Sequence, residues 1–87
     1  MIFINVYQGV SNRREGKSKY QWTFPDDTPT QVIATELYNK ESKTVGESMN
    51  TSDAAAILAH IEDVIQMALR GGTGTDIAGL VIQVTRD

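Results

Sequence analysis

The stretch TPTQVIATELYNKESKTVGESM, Thr28 to Met49, decides the fold, because it reads two ways. Thr28, Pro29 and Gln31 suit a helix start, with Thr28 as N-cap, Pro29 in the first helical position and Gln31 in the third. Against that, Gln31-Val32-Ile33-Ala34-Thr35 is rich in β-branched side chains, which favour a strand. Asn39-Lys40-Glu41-Ser42-Lys43 has the polarity of a hairpin tip, with arms at Ile33–Tyr38 and Thr44–Ser48. The hairpin is the favoured reading and the helix the alternative.

Outward from that stretch the assignments are simpler. Ile2, Ile4 and Val6 alternate with Phe3, Asn5 and Tyr7, giving a strand with one firmly apolar face. Gly9 to Ser18 is polar and glycine-containing, a long hairpin loop. Tyr20, Trp22 and Phe24 then alternate with Gln21 and Thr23 in a second strand, which Asp26-Asp27-Thr28-Pro29 stops. From Asn50 to Leu69 the pattern is helical. Ala54, Ile57, Leu58, Ile61, Val64, Ile65 and Ala68 recur at steps of three and four and form one stripe. Asn50 or Thr51 can cap its start, and Gly71-Gly72 can end it in a left-handed turn. Thr73 to Asp76 reads as a loop, and Leu80 to Val84 as an apolar strand suited to a central position.

The expected fold is therefore α+β, with the order β-β-β-β-α-β. A single four- to five-stranded, mainly antiparallel sheet is covered on one face by one long amphipathic helix. Eighty-seven residues allow one domain, residues 1–87. A chain of this size buries only about 60–65% of its unfolded surface, and self-association commonly supplements so small a core. Four-tenths hydrophobic content and a net charge of −3 describe a folding chain. The sequence contains no cysteine, which excludes disulfides, thiolate metal sites and a cysteine nucleophile and fits a reducing, cytoplasmic setting. Neither a signal peptide nor a membrane span is read.

Charge supplies the first candidate site. Arg13, Arg14, Lys17 and Lys19 are four of the eight Lys and Arg residues, and only Glu15 opposes them locally. Together with Trp22 they are the candidate partner-binding residues, for an anionic protein surface or, as the alternative, for nucleic acid. The acidic total argues mildly against the latter, and Tyr20, Trp22 and Phe24 have the alternation of core residues. The second candidate is the sheet face away from the helix. Phe3, Tyr7, Val32 and Val81 are expected there, and a partly apolar open face suggests a homodimer interface.

No catalytic set emerges. His60 has Asp63 one turn later but no serine beside it. Asp26 and Asp27 point to opposite faces if extended, a poor chelate even with Asp76 and Asp87 nearby. Gly71-Gly72-Thr73-Gly74-Thr75 follows a helix instead of preceding one and lacks the P-loop lysine. No metal, cofactor or catalytic residue is assigned.

The expected element order is similar to the first half of ribonuclease H-like domains. Tyr7-Gln8-Gly9-Val10 lies where that family has an aspartate before a glycine. Asn50-Thr51-Ser52-Asp53-Ala54-Ala55-Ala56-Ile57-Leu58 resembles its helix start, where a glutamate should be. With Gln8 and Ala55 in those places, the resemblance implies an inactive half-domain, since two-metal hydrolysis needs clustered carboxylates. The function expected from the whole chain is a small, non-catalytic, oligomeric binding or regulatory module that contacts a protein partner. Small phage and mobile-element products of this kind often act by occupying another protein's site. A small enzyme with a site in a dimer cleft is a further, less favoured alternative.

Overall fold

The computed structural model describes residues 1–8, 19–72, 74–77 and 79–87. The elements run β1 (Ile2–Gln8), β2 (Tyr20–Phe24), α1 (Thr30–Met49), α2 (Ala54–Leu69), β3 (Gly74–Ile77) and β4 (Leu80–Arg86). The four strands form one antiparallel sheet in the order β2-β1-β4-β3. The class is α+β, but the expected β-β-β-β-α-β arrangement under one helix is wrong. Two helices lie between two hairpins, in the order β-β-α-α-β-β.

The error lies in Thr28 to Met49, where the favoured hairpin is a 20-residue helix. Its buried positions are Ile33, Ala34, Leu37, Glu41, Val45 and Gly46. Ile33, Leu37, Glu41 and Val45 follow a step of four, with Ala34 and Gly46 beside its two ends, which keeps all six on one helical face. The β-branched residues weigh little beside that burial, because helix propensities differ by only about 0.7 kcal/mol among ordinary residues. Pro29 is the N-cap in extended conformation, with no side-chain cap bond. Thr28 Oγ1 instead donates to the Pro25 carbonyl at 2.8 Å, closing the turn before the helix.

Asn50 ends α1 where a start of α2 was expected. It takes the left-handed conformation (φ 57°, ψ 47°). Its N–H donates to Glu47 O and that of Thr51 to Gly46 O, the paired bonds of a Schellman motif. The cap of α2 is Asp53, whose carboxylate accepts from Ala55 N at 3.1 Å. The turn between the helices is thus only Asn50 to Asp53, and it forces a tight crossing. A Cβ on Gly46 would lie 2.8 Å from the Thr51 carbonyl oxygen and 3.0 Å from Ile57 Cδ1.

Gly71, at φ +94°, terminates α2 in the same way, with Gly71 N on Ala68 O and Gly72 N on Met67 O. Residues 74–76, expected within a loop at 73–76, instead belong to β3, which pairs with β4 with a register shift between Gly74 and Ile77. This β3–β4 hairpin and the extra helix also remove the ribonuclease H-like order.

One apolar cluster holds the layers together. Ile2, Ile4 and Val6 of β1 meet Leu80 and Ile82 of β4, Ile33, Leu37 and Val45 of α1, and Ile57, Ile61 and Ile65 of α2. Tyr20, Trp22 and Phe24 pack against its rim. Among the described residues, no helix is long and apolar enough to cross a membrane.

Candidate functional site

Glu41 occupies the middle of the buried face of α1 and is 3% exposed. A carboxylate there must be paired, since removing an unpaired charge from water costs several kcal/mol. Its partners come from the start of β2. Tyr20 Oη donates to Glu41 Oε2 at 2.6 Å, and Lys19 Nζ donates to the same oxygen at 2.9 Å. Lys19 Nζ also donates to Gln8 Oε1 at 3.1 Å, so one ammonium ties the end of β1, the start of β2 and the centre of α1. Lys40 adds a cation 5.5 Å above the Tyr20 ring.

The electrostatics follow from this geometry. Burial disfavours ionised Glu41, but donors from Tyr20 and Lys19, the charge on Lys19 and a bond from Thr44 together outweigh it. Its pKa therefore falls below the ordinary 4.5. Burial, the hydrogen bond to Glu41 and the carboxylate's charge all raise that of Tyr20. The carboxylate is ionised and the phenol neutral at pH 7, and neither is poised to trade a proton there. Chemically the cluster is a lock between strand and helix.

The residues proposed from sequence are distributed differently. Arg13, Arg14 and Lys17 lie outside the described residues. Lys19 is bound to Glu41 and Gln8. Trp22 lies on the helix side of β2, opposite Ile4, half-buried against the core rim and 4.9 Å from the Tyr20 ring. Phe3 and Tyr7 are half-buried on the sheet face away from the helices, Tyr7 opposite Val81 and Phe3 opposite Thr85. Val81 shares that face but is fully buried and outside the main apolar cluster. Val32, expected on the sheet face, is on α1 and 48% exposed; the helix removes it from that surface.

His60 is half-buried on α2. Asp26 and Asp87 converge on the Met1 ammonium, at 2.7 Å and 3.1 Å. Among the described residues, no group of three or more His, Asp or Glu side chains is placed to hold a metal. A shallow groove of about 550 Å³ lies between the end of α1 and the start of α2, lined by Tyr38, Lys43, Glu47 and Ser52 among others.

Glu41 and Gly46 are the residues that sequence reasoning missed. The signal for Glu41 was its position four residues from both Leu37 and Val45, on the stripe they define. Comparison of the chain with protein-family models, with curated proteins and with solved structures gives no match.

Proposed function

We propose that this chain is a non-catalytic binding module that self-associates through its sheet and presents the open sheet face to a protein partner. The observation that carries this reading is that, among the described residues, both helices lie on one face of the sheet and no helix lies on the other. Both helices pack on the face of Ile2, Ile4, Val6, Leu80 and Ile82; on the other, Phe3 and Tyr7 are half-buried beside a fully buried Val81. Aromatic side chains in that position are the residue type most enriched in protein contacts.

The buried polar cluster supports the non-catalytic part. Glu41, Tyr20 and Lys19 satisfy one another's hydrogen bonds, and the pKa of Glu41 is lowered and that of Tyr20 raised, both away from neutral pH. Nucleic-acid binding is less well supported, since Lys19 is committed to Glu41 and the Trp22 ring rests on the core rim. The lack of cysteine supports a cytoplasmic setting.

The test of self-association is sedimentation equilibrium on the wild-type chain over a concentration series. A mass rising toward twice the 9.6 kDa of one chain is expected. A mass of one chain throughout would remove the assembly half of the proposal. For the partner-binding half, any complex found must weaken when Phe3→Ser and Tyr7→Ser are introduced together.

A further inference from the structure

The two edges of the sheet are not alike. β3 is four residues long and its pairing with β4 shifts register, so it is short and irregular. Both features discourage the addition of another strand. β2 has neither. Its five residues pair with β1 without a shift. Its sequence, Tyr-Gln-Trp-Thr-Phe, contains no proline, glycine or charge and consists largely of strong strand formers. No strand among the described residues pairs with its outer side, which leaves a row of backbone donors and acceptors facing outward.

From this we infer that two copies of the chain join antiparallel along β2, about a two-fold axis at Trp22, merging two four-stranded sheets into one. The inference rests on the self-association proposed above and names its surface. Partners across an antiparallel pair must both point their backbone groups into the joint, so the numbers of opposed residues sum to an even value. Among such registers, only the one centred on Trp22 pairs all five residues of β2.

That register is self-complementary in its side chains. Trp22 meets its own copy and Tyr20 meets the partner's Phe24, extending the aromatic row that runs through Tyr20, Trp22 and Phe24 within one chain. Gln21 meets the partner's Thr23 on the open face. The Lys19 end of each strand comes beside the partner's turn at Asp26 and Asp27, but Lys19 is already held by Glu41 and Gln8 and Asp26 by the Met1 ammonium, so no new ion pair is assigned there. A second copy therefore continues both the backbone ladder and the aromatic row, and the two sheet faces away from the helices become one surface carrying two Phe3 and two Tyr7 side chains.

The absence of cysteine permits a direct test. Gln21→Cys and Thr23→Cys place thiols at exposed positions. Across the joint, position 21 and the partner's position 23 lie about 5 Å apart between Cα atoms, within disulfide reach, whereas like positions lie about 8 Å apart, beyond it. Each variant is oxidised alone and as an equal mixture, and sedimentation records the non-covalent mass. Cross-linked dimer is expected to be several-fold enriched in the mixture. Dimeric mass with cross-linking absent, or equal in all three samples, overturns the β2 joint and leaves self-association standing. Monomeric mass overturns both.

Discussion

Replacing Glu41 by glutamine keeps the side chain's shape and removes its charge, which isolates the ionic part of the lock. Two bonds change. Tyr20 keeps an acceptor, but a charge-assisted bond becomes a neutral one, a loss of about 1 kcal/mol. Lys19 loses its anionic partner, and because its side chain is 40% exposed it returns to water, which limits that loss to about 0.5–1 kcal/mol. The expected cost at pH 7 is therefore about 1.5–2 kcal/mol, read as a lower urea midpoint at unchanged slope. Acid adds a second, independent readout. The pKa of Glu41 is lowered by folding, so its contribution is complete above the ordinary value of 4.5 and disappears as pH falls through the lower folded value. Other carboxylates titrate in both proteins and cancel in the difference. The gap between wild type and Glu41→Gln should start to close near pH 4.5 and vanish at lower pH. Equal stability at pH 7, or a gap that survives full acidification, would refute the lock.

Substitutions at three further positions probe the helical hairpin. Gly46→Ala gains up to about 1 kcal/mol of helix propensity but drives a Cβ to 2.8 Å from the Thr51 carbonyl, which the Thr51 N–H bond to Gly46 O holds in place. Net destabilisation of about 1–2 kcal/mol is expected, and a higher melting temperature would show that the crossing is looser than described. Asn50 holds a left-handed backbone, so Asn50→Ala should lose about 1 kcal/mol while Asn50→Gly is neutral or stabilising; equal urea midpoints for the two variants would contradict that conformation. Asp53→Ala removes the N-cap of α2 and should cost about 1 kcal/mol; amide exchange at Ala55 and Ala56 that stays as slow as in wild type would count against it.

How much of this was legible follows from which residues carry which signal. β1 and α2 could be read because their apolar positions are uninterrupted, Ile2-Ile4-Val6 with period two and Ile57 through Ala68 with helical period. α1 could not, because Glu41 stands where its stripe needs an apolar residue. Without Glu41 the large apolar side chains of the stripe are Ile33, Leu37 and Val45, with a step of eight residues between the last two, and the surrounding Asn39, Lys40, Ser42 and Lys43 look like a turn. The residue that hides the helix is the one that locks it to β2, and its partners Lys19 and Tyr20 are 22 and 21 positions away. No local pattern contains that contact. β3 was missed for a related reason, since Gly74 and Asp76 are poor strand formers on either side of Thr75 and the segment is held by pairing with β4. Of the candidate binding residues, Phe3 and Tyr7 followed directly from the alternation of β1. Val32 was carried to the sheet only by the wrong assignment of α1, and Lys19 was read as a free cation although it is paired.

The account's central claim is that the sheet is an assembly surface, and the molar mass of the wild-type chain by light scattering at micromolar concentration and neutral pH tests it most directly. The account predicts a mass near twice 9.6 kDa that falls toward the single-chain value on dilution. A mass of 9.6 kDa at every concentration would contradict it.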